Sequence, residues 1–277
     1  MKHLDPLIAK QVLSRFRPEE RLSILDAVRL GDRSREELET WALFCACLAW
    51  GGLIAKRNLL ISFYRTLPGP FTEFIRNPSQ DLLKNIYRGE GSLKLLGLCL
   101  AIRDLLDEYG SISNFVKGSK DVPQTIFRLA HVLRKKLDQQ SISRKFNLPK
   151  VKNTPPIVIG EKRRTNSLKR YCMYFRWMVR DSEPDFGIWN FFDKKDLYHP
   201  VDRHVARIIK RWGVLSDDSP NWFNVEIVTE YFREVEPEDP TRFDYHLVTF
   251  GQKFCKKDNP NCERCPIKIE FDFDCSL

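Results

Sequence analysis

Four of the chain's eight cysteines fall within its last 23 residues, in the spacing Cys255-x6-Cys262-x2-Cys265-x9-Cys275. A short segment carrying four thiolates can close tetrahedrally around one Zn²⁺ or ligate the four irons of a cubane cluster. The Cys262-x2-Cys265 pair lets two sulfurs converge from one turn, Cys255 ends a helical stretch, and Pro260 and Pro266 stiffen the loop. Four free thiols gathered by chance are the bland alternative. With all four positions filled by protein ligands, a metal centre here has no open site and is expected to staple the fold. The opening Met1-Lys2-His3-Leu4-Asp5-Pro6 lacks the charged-then-apolar order of a signal peptide, so a disulfide scaffold is not expected. Cys45, Cys47, Cys99 and Cys172 sit in apolar, helix-like stretches and read as buried small hydrophobes.

Helical signals fill most of the chain. Ser34-Arg35-Glu36-Glu37 is a capping box that opens a helix to Trp50, closed by Gly51-Gly52. Further helices are expected over residues 53–67, 92–109 and 122–137, bounded by Pro68-Gly69-Pro70, Gly110 and Pro123. Residues 200–212, 222–235 and 241–254 complete the set, with Gly213 as a stop and Ser219-Pro220 and Asp239-Pro240 as starts. Strand patterns are scarce, and Ile157-Val158-Ile159 is too short to define a sheet. Two stretches are not helical. Residues 141–165 read as a basic loop, and residues 181–199, with Phe186, Trp189, Phe191 and Phe192, fit either a lid or, as expected here, an insertion packed on the surface.

At 277 residues and 42% hydrophobic content the chain can bury a sizeable core, as two packed units or one large domain. No apolar run approaches the ~18 residues of a membrane span, so a soluble, cytoplasmic protein is expected. Charge is concentrated. Lys and Arg number 46 against 37 acids, a net charge of +9. Residues 128–170 hold 13 Lys and Arg against Asp138 and Glu161, a local +11 that leaves about −2 for the rest. Such a strip suits a polyphosphate partner, because each contacted phosphate releases counterions. A merely solvated basic face is the other reading.

The run His246-Leu247-Val248-Thr249-Phe250-Gly251-Gln252-Lys253-Phe254-Cys255, then Asn259-Pro260-Asn261-Cys262-Glu263-Arg264-Cys265-Pro266, resembles the iron–sulfur loop of endonuclease III-like DNA glycosylases. These belong to the helix-hairpin-helix superfamily, whose loop is Cys-x6-Cys-x2-Cys-x5-Cys. The first three cysteines match that spacing and Cys275 stands four residues late. The resemblance implies a 4Fe-4S cluster on Cys255, Cys262, Cys265 and Cys275, with zinc as the alternative. Across its length the chain also resembles an uncharacterised bacterial family within or near that superfamily.

His199-Pro200-Val201-Asp202-Arg203-His204-Val205-Ala206-Arg207 resembles the superfamily's Val-Asp-Thr-His-Val segment, in which the Asp is the catalytic carboxylate at a helix start. A carboxylate facing the positive end of a helix dipole stays ionised, and beside a deoxyribose C1′ it stabilises an oxocarbenium-like transition state. A plain helix cap is the other reading of Asp202. Bifunctional members add a Lys that follows Gly-x-Gly-x and attacks C1′. Thr165-Asn166-Ser167-Leu168-Lys169 stands at that place, with Lys169 at the Lys position and Thr165 and Ser167 in place of the glycines. A phosphate-facing lysine in a basic strip is the alternative for Lys169. The Lys169–Asp202 separation of 33 residues is about twice the family's, the excess being the aromatic insertion. Lys162, Arg163, Arg164, Thr165, Ser167, Arg203 and His204 are the expected DNA contacts. Trp50 is a buried aromatic or, less simply, a wedge for the gap left by a flipped nucleotide. Tyr171, Tyr174, Phe175 and Trp177 read as core.

The resemblance implies a mostly α fold with two helical domains flanking a DNA-binding cleft. One is a six-helix domain with the altered hairpin, residues 32–185. The other, residues 1–31 plus 186–277, carries Asp202 and the four-Cys metal-cluster loop. The activity implied is that of a monomeric base-excision DNA glycosylase, acting on a duplex with a damaged or mismatched base, with AP lyase activity through a Lys169 Schiff base. A non-catalytic nucleic-acid-binding protein on the same scaffold is the alternative, and an RNA-directed enzyme a more distant one.

Overall fold

The computed structural model describes residues 3–16, 24–49, 52–87, 90–119, 121–139 and 166–275. Among them the ordered elements are helices, with no strand. In chain order they are α1 (Pro6–Leu13), α2 (Ile24–Val28), α3 (Arg35–Leu48), α4 (Leu53–Thr66), α5 (Phe71–Arg76), α6 (Gln80–Leu83) and α7 (Glu90–Tyr109). There follow α8 (Ile112–Val116), α9 (Val122–Gln139), α10 (Lys169–Val179), α11 (Arg203–Arg211), α12 (Trp222–Val235), α13 (Asp244–Lys253) and α14 (Pro266–Phe271). No described helix is long and apolar enough to cross a membrane. The chain divides into a central unit, Leu22–Val158 with Trp177–Phe192, and a terminal unit, Met1–Arg21 with Ile159–Arg176 and Asp193–Leu277.

The central unit is built on α3. Ser34 caps it by accepting the Glu37 N–H at 3.2 Å, as the capping box requires. The return bond is absent. The Glu37 carboxylate instead accepts from the Tyr64 hydroxyl at 2.7 Å and from the Phe71 and Thr72 N–H groups at 2.6 and 2.8 Å, tying α4 and the first turn of α5 to α3. Trp41, Phe44, Phe63 and Phe71 are fully buried in one aromatic cluster, and the Trp41 indole donates to the Ala27 carbonyl at 2.8 Å. Rings of this size dominate core energetics, and an indole N–H inside a core needs an acceptor.

Glu39, 1% exposed, collects the Ser113 N–H at 3.0 Å, the Ser113 hydroxyl, Arg35 Nε at 3.0 Å and the Trp189 indole N–H at 2.9 Å. The first part of the aromatic insertion is thereby fixed. Trp189 is fully buried, and Phe191 lies under Arg35 and Lys117 at 5.8 and 5.1 Å. The insertion is packed as expected, and more deeply than a surface strap, because an acceptor inside the unit meets its indole.

In the terminal unit Ala9, Val12 and Leu13 of α1 are fully buried, and the Leu4 backbone bonds to the Trp212 carbonyl at 2.8 Å and the Tyr231 hydroxyl at 3.1 Å. Phe16 meets the Phe250 and Phe254 rings edge-on at 5.6 and 5.5 Å, and Arg15 pairs with Glu270 of α14 at 2.6 Å. Helices α11 and α13 pack closely where residue 251 is glycine. A Cβ there would stand 2.4 Å from Ile208 Cδ1. The sequence places both helix starts about three residues early. Asp202 caps α11 with its side chain, which holds Pro200 and Val201 outside the helix. Before α13, Asp239 accepts from the Thr241 N–H and hydroxyl at 3.2 and 2.9 Å, and the chain runs through turns until Asp244.

Candidate active site and cysteine loop

Lys169 is the first residue of α10, as expected, and Asp202 is the N-cap of α11. Asp202 sits in extended backbone, where Oδ1 accepts the N–H groups of His204 and Val205 at 2.8 and 2.9 Å. That leaves Oδ2, which accepts from Lys169 Nζ at 2.6 Å. The two side chains are 31% and 29% exposed, so the pair is within reach of solvent and of a ligand. Burial works to raise the Asp202 pKa, but the Lys169 charge and hydrogen bond, the Val205 N–H and the nearby His204 outweigh it. The net effect holds the carboxyl below the usual carboxylate range. The wide spacing in sequence is therefore bridged in space.

Of the altered hairpin expected before α10, residues 166–168 are described. Ser167 is 5% exposed, and Leu168 is left-handed at φ 49° and 2% exposed. Lys162, Arg163, Arg164 and Thr165 lie outside the described residues, as do Trp50 and the basic loop at 141–165. Arg203 and His204 are exposed on the first turn of α11, His204 Nδ1 lying 3.1 Å from Arg207 Nη2. Tyr171, Tyr174, Phe175 and Trp177 are buried core, and Cys45, Cys47, Cys99 and Cys172 are buried too.

Two features beside the pair escaped the sequence reading. Arg176, 1% exposed on α10, forms an ion pair with Asp244 at the start of α13 and lies 4.2 Å from the Tyr245 ring centroid. His199 is fully buried, stacked on Phe232 at 4.7 Å, and neither ring nitrogen has a hydrogen-bond partner among the described residues. Burial lowers the His199 pKa, Arg176 adding to the fall and Asp244 and Asp202 opposing it. An arginine inside the apolar run Tyr171–Trp177 was the available signal for the first.

The four C-terminal cysteines come from three pieces of backbone. Cys255 follows α13, its N–H bonded to the Gly251 carbonyl at 3.0 Å, and a single 3₁₀ turn, Cys262–Arg264, separates Cys262 from Cys265. The longer last spacing is occupied by α14, with Pro266 at its start and Asp272 left-handed at φ 47° after it. Burial, then the neighbouring Cys265 and Cys275, push the Cys255 thiol up to about 12 against the pull of Arg211. Burial with Cys265 and Cys262 pushes Cys275 up to about 11, and burial raises Cys265 although the N–H groups of Lys268 and Ile267 favour its thiolate. All four sulfurs thus lie within one electrostatic neighbourhood. Arg211 holds the loop through the Lys256 and Lys257 carbonyls at 2.9 and 3.2 Å. Among the described residues no group of three or more His, Cys, Asp or Glu is arranged to hold a metal ion. The donor chemistry nonetheless fits a cationic centre. Thiols that resist ionisation because they are buried, and because their thiolates would repel one another, are relieved by a bound cation.

Local similarity to endonuclease III and to DEMETER-like proteins supports an endonuclease III-like, helix-hairpin-helix kinship for the chain. Endonuclease III of Sulfolobus acidocaldarius is 34% identical over 70 residues, 25% of this chain and 30% of that protein. Endonuclease III of Thermotoga maritima is 34% identical over 87 residues, 31% of this chain and 38% of that protein. DEMETER-like protein 3 of Arabidopsis thaliana is 32% identical over 85 residues, 26% of this chain and 8% of that protein. The chain therefore spans well under half the length of these relatives. More particularly, the family model described as "Protein of unknown function (DUF2400)" matches residues 29–253, and the chain belongs to that family. No solved structure matches it.

Proposed function

We propose that the protein is a base-excision DNA glycosylase with AP lyase activity, acting through Lys169 and Asp202 on a duplex that carries a damaged or mismatched base. The observation that carries this reading is the 2.6 Å contact between Lys169 Nζ and Asp202 Oδ2, across 33 positions of sequence, at the starts of two helices. An amine and a carboxylate so placed can exchange a proton and address one carbon together. Nζ, its proton passed to Oδ2, attacks C1′ of the deoxyribose. The C1′–N glycosidic bond breaks, and the base departs with the bonding pair and takes up a proton. The new C1′–N bond becomes an imine as the sugar ring opens. As the C1′–N glycosidic bond begins to stretch, and before Nζ gives up its proton, the Asp202 anion stabilises the positive charge growing at C1′, a role its low pKa suits. Extruding the base costs a few kcal/mol, and less for a lesion or mismatch. Cys255, Cys262, Cys265 and Cys275 would hold a 4Fe-4S cluster, or zinc in its place, and such a centre supplies a structural staple.

A second reading, a non-catalytic nucleic-acid binder on this scaffold, draws on two observations. Ser167 is buried where the hairpin would meet a phosphate, and Lys169 is already satisfied by its ion pair. Borohydride trapping on an abasic duplex separates the two. The glycosylase reading expects a covalent adduct with the wild type, none with Lys169→Gln, and loss of base release in Asp202→Asn on a panel of damaged bases. Full base release by Asp202→Asn would overturn it.

A further inference from the structure

We propose that Leu168, through its left-handed backbone, is the positioning residue that aims Lys169 at Asp202. Its part in catalysis rests on the reading above; the aiming itself does not. The residues that cap α3, α11 and α12 are extended, at φ −152° for Ser34, −110° for Asp202 and −111° for Asn221. Leu168 plays the same part for α10, its carbonyl accepting the Tyr171 and Cys172 N–H groups at 2.9 and 3.1 Å, yet its φ is 49°. For a residue with a Cβ that conformation is unfavourable and persists only where the surroundings impose it.

Two things impose it. The Leu168 N–H donates to Asn166 Oδ1 at 2.8 Å, closing a side-chain turn just before the helix. The Leu168 side chain is 2% exposed, so the backbone cannot relax without withdrawing it from the core. The pivot thus sits one residue before Lys169. The direction in which the chain enters α10, and with it the place of the first turn, is set at Leu168. An ordinary extended cap would turn the same chain differently and carry Nζ away from Oδ2.

A backbone role and a packing role predict opposite orders for two substitutions. Leu168→Gly keeps the left-handed conformation freely and loses the buried side chain. Leu168→Val keeps most of the apolar volume, but its β-branching opposes positive φ. The pair is read in DNA-free protein by NMR titration of the Asp202 carboxyl, together with the rate of borohydride trapping on an abasic duplex. The expected result is a depressed Asp202 titration in the wild type and Leu168→Gly, and a return to the ordinary carboxylate range in Leu168→Val. Trapping should fall roughly tenfold or more in Leu168→Val at unchanged duplex affinity. If the glycine variant fails to fold, Leu168→Asn, which tolerates the left-handed region, replaces it with the same expectation. Survival of the pair in Leu168→Val, or its loss in the left-handed-tolerant variant alone, overturns the positioning role. Loss of the pair in Leu168→Val, with no trapping even by the wild type, would uphold the positioning and overturn the lyase reading instead.

Discussion

Asp202 divides its two oxygens between jobs, one capping α11 and the other facing Lys169. Both residues were legible in the sequence because each carries a local mark, a helix cap and a helix opening. His199 was not. A histidine between a tyrosine and a proline has no local signature of burial, and its neighbours Arg176 and Asp244 come from α10 and α13. Its lowered pKa has a definite sign. As pH falls below the ordinary histidine value of about 6.5, the unfolded chain takes up a proton that the folded chain refuses, so stability drops until the lowered native value is reached. His199→Phe, which keeps a ring against Phe232, should remove this dependence. Urea unfolding of both proteins from about pH 8 to about pH 5 should show the wild type losing up to about 1.4 kcal/mol per unit more than the variant. Parallel curves would show that His199 does not titrate with folding.

Helix positions were the most readable part of the chain, because caps, glycine stops and prolines act over a few residues. Gly213, at φ 77° just past α11, is one such stop. The misses came where a side chain did something beyond its local rule. Glu37 fits the capping-box pattern, yet spends its carboxylate on the start of α5 and on Tyr64. Asp239 holds a turn where the pattern suggested the first residues of α13. The contact between α11 and α13 is likewise invisible to periodicity, since Gly251 in a helix interior reads only as a weak helix former. Its reason is space. Gly251→Ala would set a methyl against Ile208 Cδ1 and should destabilise the protein by about 1–3 kcal/mol, despite the better helix propensity of alanine. Ile208→Val removes that Cδ1 and should restore much of the loss in the double variant, measured as the coupling in a thermal-unfolding cycle. A stabilised Gly251→Ala would mean that the helices move apart at little cost.

Which helices share a unit was the least legible level, because it depends on bonds between distant parts of the chain. The terminal unit is the extreme case. Helix α1 and the residues just before it are bonded to residues 225 and 227 positions further on, Lys10 donating to the Val235 carbonyl and the Leu4 carbonyl accepting from the Tyr231 hydroxyl. Phe16 and Arg15 add contacts with α13, its following loop and α14. A protein lacking residues 3–16 would leave Trp212, Tyr231 and Phe250 uncovered. It is expected to unfold at lower temperature, with α11–α14 losing amide-exchange protection before α3 and α7. Unchanged protection in α12 and α13 would show that α1 is dispensable. The same connectivity sets a timetable at the ribosome. At about 5–20 residues per second, α1 is synthesised roughly 10–45 seconds before Tyr231, whose hydroxyl donates to the Leu4 carbonyl just ahead of that helix. For that interval its apolar face, Ala9, Val12 and Leu13, has no native cover, an exposure that chaperone-type holding of the nascent chain would relieve until the residues around Tyr231 emerge.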